Sequence, residues 1–161
     1  MNIRKLSIIL LLISIKPCAL MAASMEPCIG NYTENWDSCH GTVNFDNGSV
    51  YTGEFSKGRI NGKGIYEYAA TSSTPAGRYS GEFVNNARHG YGTYTYDDGT
   101  VYIGEHRNNN FEGNGKITYP NGDSYEGEFF EGLLNGKGEV QLASGVRWKG
   151  TWYGGNPQGV G

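Results

Sequence analysis

Hydrophobic and polar residues alternate along most of the chain in short runs that glycines interrupt at regular distances. From Gly64 to Tyr68 and from Gly92 to Tyr96, every second residue is glycine or tyrosine. A period of two is typical of a β-strand with one apolar face. The turn pairs Asn47-Gly48, Asp98-Gly99 and Asn121-Gly122 follow such runs. Because these pairs supply the positive φ of a tight turn, the pattern predicts a series of β-hairpins.

The pattern repeats, and the repeat defines the numbering used below. Units begin at residues 28, 51, 79, 102, 125 and 148, so the step is 23 residues except for one step of 28. Counting each start as position 1, glycine fills position 3 six times, position 12 five times and position 14 six times. In the four central units these structural glycines are Gly53, Gly62, Gly64, Gly81, Gly90, Gly92, Gly104, Gly113, Gly115, Gly127, Gly136 and Gly138. Each unit is therefore predicted to be one hairpin of a continuous antiparallel sheet.

The alternation also assigns residues to the two faces of that sheet. Positions 1, 3, 5, 14, 16 and 18 share one face, here called the aromatic face. The other, here called the polar face, carries a regular row of glutamates at position 4: Glu54, Glu82, Glu105 and Glu128. Glycine at positions 3 and 14 lets a neighbouring ring lean over the backbone and lets the sheet bend. A phosphate-binding loop would instead need a single glycine-rich turn before a helix, and no helical pattern is found.

Composition agrees with this prediction. Glycine makes up 26 of the 161 residues and tyrosine 12, whereas hydrophobic residues reach only 37%. So much glycine disfavours a helical bundle, because glycine costs a helix interior about 1 kcal/mol. The aromatic content disfavours disorder, and five prolines without a strict three-residue period exclude collagen.

The repeat resembles the MORN (membrane occupation and recognition nexus) family. The likeness is carried by Tyr-x-Gly-Glu-[Phe/Trp], a spacer, Gly-x-Gly and an Asn-Gly or Asp-Gly turn, as in residues 102–122. It is strong over 51–161 and degenerate over 24–50. The resemblance implies an all-β fold, an elongated, twisted, single-layer antiparallel sheet of tandem hairpins. It also implies a targeting or assembly module.

The first 23 residues differ from the rest of the chain. Arg4 and Lys5 precede the apolar run 6–15, and small residues follow at 22–24. This pattern is typical of a secretory signal peptide that is cleaved near 22–24, and an uncleaved membrane anchor is the alternative. The lysine and proline that precede Cys18 disfavour lipidation of that cysteine. Cleavage leaves 10 basic against 16 acidic side chains, a net charge of −6. We expect a periplasmic or extracellular location, most simply in a bacterial envelope.

Cys28 and Cys39 are then the remaining cysteines. An even number in an export compartment favours a disulfide, which would cap the first unit; free thiols or a metal pair are the alternatives. Two further departures from the repeat are expected to show in the fold. An insertion near 69–78 should form a projecting turn. The sixth unit stops at position 14, so it should lack its second strand and leave an edge exposed or covered by a partner.

No catalytic or metal-binding pattern is found. His106 occupies position 5, where other units have an aromatic residue, and the evenly repeated glutamates favour cross-strand pairing over catalysis. Neither an enzyme, a cofactor, a metal nor nucleic acid binding is expected. The sequence favours a scaffold that binds an unknown protein partner, with Tyr125, Trp148 and Trp152 as candidate interaction aromatics. The alternative is phospholipid binding at a membrane surface, which the negative charge disfavours.

Overall fold

The computed structural model describes residues 25–32, 35–70 and 75–160. These residues form one antiparallel sheet of eleven strands that neighbour each other in chain order, and no described residue is helical. The strands are β1 Cys39–Asn44, β2 Val50–Ser56, β3 Arg59–Tyr68, β4 Gly77–Val84, β5 Ala87–Tyr96, β6 Val101–Arg107, β7 Asn110–Thr118, β8 Ser124–Phe130, β9 Leu133–Gln141, β10 Arg147–Tyr153 and β11 Asn156–Val160. The all-β, tandem-hairpin fold predicted from the sequence is confirmed.

The register of the sheet aligns glycine with glycine on every pair of strands from β1 to β10. Gly53 pairs with Gly64 inside one hairpin, and Gly64 pairs with Gly81 of the next. The aligned residues, here called the glycine row, are Gly41, Gly53, Gly64, Gly81, Gly92, Gly104, Gly115, Gly127, Gly138 and Gly150. The row crosses ten strands at right angles to the chain direction. Its alignment fixes which side chains face each side of the sheet.

Two kinds of turn join the strands. Turns between units contain the predicted Asn-Gly and Asp-Gly pairs, with positive φ at Gly48, Gly99 and Gly122. Turns inside the units place two consecutive residues at positive φ, a geometry that matches the twist of the strands. These inner pairs are Lys57-Gly58, Asn85-Asn86, Asn108-Asn109, Glu131-Gly132 and Gly154-Gly155. At the middle of the array, asparagine therefore provides a conformation that glycine provides elsewhere.

The buried core lies on the aromatic face. Tyr51, Tyr79 and Tyr102 have no exposed surface, and Phe55 is equally buried. Many of these rings meet edge to face, as in Tyr102 against Phe129 with ring centroids 5.1 Å apart, while Tyr102 and Phe111 stack. Such edge-to-face pairs stabilise a core beyond the area they bury. The core of this single-layer sheet therefore consists of aromatic side chains that pack against one another on one of its two faces.

The N-terminal end of the sheet is closed by residues 26–32 and 35–38. The backbone of Glu26 and Cys28 exchanges hydrogen bonds with His40 on the outer side of β1, and a disulfide joins Cys28 to Cys39. Trp36 is buried and packs edge to face on Phe55, with centroids 4.9 Å apart. This segment, here called the N-terminal cap, covers the first strand's free hydrogen-bonding edge.

Of three expectations about the ends and the insertion, one can be compared with the structure. The sixth unit was expected to lack its second strand, but β11 forms one, with Pro157 opposite Trp152. The short inner turn at Gly154 and Gly155 brings the chain back earlier than the alternation suggested. The signal peptide, 1–23, and the centre of the insertion, 71–74, lie outside the described residues.

Candidate functional site

The first tyrosine of each central unit lies flat across the glycine row. The Tyr102 hydroxyl donates a hydrogen bond of 2.9 Å to the Glu105 carbonyl oxygen. Tyr51, Tyr79 and Tyr125 make the same bond to Glu54, Glu82 and Glu128. A Cβ added at Gly104 would lie 2.6 Å from the Tyr102 hydroxyl oxygen, so a larger residue has no room there. Burial raises the pKa of Tyr102, which keeps the phenol protonated as a donor.

Glycine is required at position 12 for a different reason from the one that applies to the glycine row at positions 3 and 14. Between Gly53 and Phe55 only Glu54 stands opposite Asn61, Gly62 and Lys63, so the strand bulges. Gly62 adopts φ +103°, and the Glu54 carboxylate lies over it and accepts the Lys63 N–H at 3.1 Å. Glu105 and Glu128 hold the backbone N–H of Asn114 and Lys137 in the same way. Three glutamates of the row thus have a structural partner, the bulged backbone of their own hairpin.

His106 is buried among aromatic rings, as its position in the repeat suggests. Its ring lies 4.8 Å from that of Tyr79 and 5.1 Å from that of Tyr102. Nδ1 lies 3.2 Å from the Gly104 carbonyl oxygen, while Nε2 is buried with no hydrogen-bond partner among the described residues. Burial, together with the charge of Arg88, lowers the pKa of His106 to about 4. The side chain is therefore neutral near pH 7.

Arg88 is a charged residue on this aromatic face. It occupies position 10, where the neighbouring units have Ile60, Phe111 and Leu134. Its guanidinium carbon lies 4.8 Å from the centre of the Tyr94 ring and 5.6 Å from that of Tyr68. One Nη atom donates a 2.6 Å hydrogen bond to the Asn109 carbonyl oxygen. No carboxylate among the described residues lies within ion-pairing distance of it.

The polar face carries a groove of about 870 Å³. It crosses the strands from Tyr91 on β5 to Gly159 on β11, and backbone of the glycine row forms its floor. Tyr91 and Ile103 lie at one end and are 60% and 42% exposed. Charged residues line the remainder: Lys116, Glu126, Lys137, Glu139 and Lys149. This groove was missed by the sequence analysis, because its residues are variable in type and share only their face.

The charges of this groove are largely balanced within it. Lys116 Nζ lies 3.4 Å from a Glu126 carboxylate oxygen, and Lys149 Nζ lies 3.5 Å from one of Glu139. Such exposed pairs contribute about 0–1 kcal/mol each to stability. Their main effect is to make the groove a surface of alternating sign rather than a basic patch.

The candidate interaction aromatics do not form one exposed surface. Tyr125 and Trp152 are 3% and 5% exposed, and their rings contact each other edge to face at 4.9 Å. Trp148 pairs with Val140 on β9 and is half-buried. Tyr125 and Trp152 therefore act as core residues. Tyr91 is the residue that places an exposed aromatic ring in the groove, and none of these three residues lines it.

Within residues 25–32, 35–70 and 75–160, no group of three or more His, Cys, Asp or Glu residues could hold a metal ion. The same part of the chain contains no helix that is long and apolar enough to cross a membrane.

These features define a class of protein: an open array of β-hairpins in which, in the four central units, a tyrosine packs over paired glycines and holds them in place. The sequence pattern of the MORN repeat matches residues 51–71, 79–101, 102–124 and 125–147, which is more than half of the chain. The chain therefore belongs to the MORN-repeat family, whose repeats are generally modules for protein or membrane interaction. A search of curated proteins gave no match.

Proposed function

We propose that this chain is an exported, non-enzymatic scaffold that binds a protein partner in the groove of the polar face. The observation that carries the proposal is the groove itself, which crosses the array from β5 to β11. Six inter-strand spacings correspond to roughly 29 Å, the length of about nine extended residues. Repeat arrays commonly bind partners along such continuous surfaces.

The lining of the groove favours a peptide over a lipid surface. Tyr91 offers an exposed aromatic ring, and tyrosine is enriched among the residues that dominate protein interfaces. Anionic headgroups are attracted by clusters of unpaired basic residues, whereas Lys116 and Lys149 each have a glutamate beside them. Without residues 1–23 the chain has 10 basic and 16 acidic side chains, a formal net charge of −6, which adds repulsion from an anionic bilayer.

Two features support export. The basic start and apolar run of residues 1–23 have the order of a signal peptide. The disulfide between Cys28 and Cys39 is stable in oxidising compartments outside the cytosol. Mass measurement of the protein from its native host tests this part. We expect a start near Ser24 or Met25 and the loss of two hydrogens; a mass that retains residues 1–23 would contradict cleavage.

The groove is tested by site-specific photo-crosslinking in the native host. A photoreactive phenylalanine replaces Tyr91, at position 13 of its unit, and in a matched variant it replaces Lys63, at position 13 of the preceding unit and outside the groove. We expect a discrete protein adduct from position 91, lost when Ile103→Asp is added, and none from position 63. Equal adducts from both positions would contradict the proposal.

Vesicle pelleting tests the alternative, phospholipid binding. The chain without residues 1–23 is mixed with vesicles of phosphatidylcholine alone or with one third phosphatidylserine. We expect no pelleting at physiological salt. Strong pelleting with the anionic vesicles that high salt abolishes would favour a membrane-binding module instead.

A further inference from the structure

Arg88 interrupts a pattern that otherwise builds the core. Position 10 points into the aromatic face in units two, four and five, and Ile60 there is 4% exposed. Phe111 and Leu134, at the same position, pack against the core. An arginine in this place carries a cost, since part of its guanidinium leaves water. A residue that costs stability in the repeat is a candidate for binding.

The local environment stabilises the arginine only in part. The faces of Tyr94, Tyr68 and Tyr79 lie 4.8, 5.6 and 5.9 Å from the guanidinium carbon, within the range of cation–π attraction. A guanidinium has five N–H donors, and one of them bonds to Asn109. Nε is buried and donates to no described residue. The charge therefore has ring faces and one carbonyl oxygen around it but no described carboxylate.

The titratable neighbours do not supply a negative charge. Burial raises the pKa of Tyr68 and Tyr79 to about 12, so both phenols are neutral at physiological pH. Burial also raises the pKa of Tyr96. His106, behind Tyr79, is neutral near pH 7 because its pKa is lowered. A positive charge among neutral groups of low polarity attracts an anion more strongly than one in open water does.

Around Arg88 the tyrosine rings form a continuous row, in which Tyr66, Tyr68 and Tyr96 are half-buried and Tyr94 is 5% exposed. Tyr66 and Tyr68 stack with ring centroids 4.2 Å apart, Tyr68 lies 5.7 Å from Tyr94, and Tyr94 lies 4.5 Å from Tyr96. The row crosses β3 and β5. Tyrosine and arginine together have the composition of the residues that dominate protein interfaces.

We infer that this row, centred on Arg88, is a second binding site that holds an acidic peptide segment of a protein partner. A carboxylate of the segment pairs with the free Nη donors of Arg88, and the flanking backbone lies along the tyrosines. One arginine with wide apolar contact suits a peptide carboxylate, whereas a lipid headgroup layer is attracted by several basic residues together. The site lies on the face opposite the groove and does not depend on it.

The test uses hexaglutamate as a probe and hexaglutamine as its uncharged counterpart, titrated into the chain without residues 1–23 at physiological salt. Binding is followed by NMR through the Arg88 Nε–Hε signal and the Tyr94 ring protons. We expect hexaglutamate, and not hexaglutamine, to shift both. Inorganic phosphate and anionic vesicles serve as the other anion sources.

Two variants make the result specific. Arg88→Leu copies the residue of unit five, Leu134, so the fold has a place for it; we expect affinity for hexaglutamate to fall at least tenfold with no loss of melting temperature. Arg59→Gln removes an exposed arginine of unit two and should leave affinity within twofold. The inference would be overturned if Arg88→Leu bound hexaglutamate as well as the unchanged chain does, or if Arg59→Gln lost as much affinity as Arg88→Leu. It would also be overturned if hexaglutamate did not bind at millimolar concentration, or if only phosphate or vesicles bound.

Discussion

The hydroxyl of Tyr102 donates a 2.9 Å hydrogen bond to the carbonyl oxygen of Glu105, three residues ahead on the same strand. To make this bond, the ring must cross the backbone of its own strand and that of the next. Gly104 and Gly115 stand side by side under the ring because no other residue leaves it room. One hydrogen bond, one ring and two glycines therefore form the repeating lock of the array.

Replacement of Gly115 by alanine should strongly destabilise the protein. The added Cβ would contact the hydroxyl and ring of Tyr102, which is fully buried and cannot move aside. We expect a loss of roughly 2–4 kcal/mol in the free energy of unfolding, as for other overpacked or strained cores. Urea unfolding followed by tyrosine fluorescence measures it.

Gly132→Asn is the matched control for that substitution. Gly132 has positive φ with nothing near its absent Cβ, and Asn86 and Asn109 adopt this conformation at the same position of other units. We expect a change within about 0.5 kcal/mol. A large loss at Gly132 with none at Gly115 would show that turn conformation, and not the tyrosine lock, requires glycine.

Acid should destabilise the protein through His106. Its pKa is lowered to about 4 in the folded chain and is about 6.5 when unfolded, so the unfolded state binds the proton more readily. The stabilisation is complete above pH 6.5 and declines as the pH falls towards 4, by about 3 kcal/mol in all. Urea unfolding between pH 7.5 and 4 measures this loss.

His106→Phe should remove most of that pH dependence, since Phe55, Phe83 and Phe129 fill position 5 in other units. His40, which is exposed, provides the control: His40→Gln should leave the pH profile unchanged. If His106→Phe keeps the full acid sensitivity, a different group is responsible.

The carboxylate of Glu54 should stabilise its hairpin by more than an exposed ion pair does. Glu54→Ala leaves the Lys63 N–H without its 3.1 Å partner at the bulge, at a cost of about 1 kcal/mol. Glu126→Ala removes an exposed ion pair with Lys116 and should cost less than about 0.5 kcal/mol. Thermal unfolding of both variants compares the two, and equal losses would contradict the assigned role.

Reduction of the disulfide should loosen the N-terminal cap before the rest of the sheet. Cys28 and Cys39 are 11 residues apart, and closing such a loop contributes about 3 kcal/mol on the chain-entropy model. In Cys28→Ser with Cys39→Ser, we expect faster hydrogen exchange at His40 and a red-shifted Trp36 emission, with exchange in β6 to β8 unchanged. Uniformly faster exchange would show that the cap stabilises the whole array.

The sequence predicted the hairpins well because their constraints repeat. A tyrosine at 102 and glycines at 104 and 115 recur at a fixed step, so the requirement is visible without coordinates. The inner turns were missed because Asn85-Asn86 and Glu131-Gly132 meet the same need for positive φ with different residues. β11 was missed because the second strand of each unit begins at position 9, ahead of the alternation at positions 14, 16 and 18 that predicted it.

The candidate sites were harder to predict because they consist of departures from the repeat. Arg88 stands at position 10, where three other units have an apolar residue, and this departure is visible in the sequence. Its three tyrosine neighbours lie on different strands, however, and only the register of the sheet brings them together. Tyr125 and Trp152 were chosen for residue type, although the repeat had already assigned both to packed positions. Burial, rather than aromatic character, separates an interface ring from a core ring.

The glycine row has a mechanical consequence. Ten aligned residues without side chains make a line along which the sheet is thinnest, with tyrosine rings supporting it on one side alone. Because glycine permits a strand to bend, we expect the sheet to bend most easily along this line, like a crease. Every 23-residue unit continues the same crease, and the array can therefore gain or lose units in length without changing how it folds across its width.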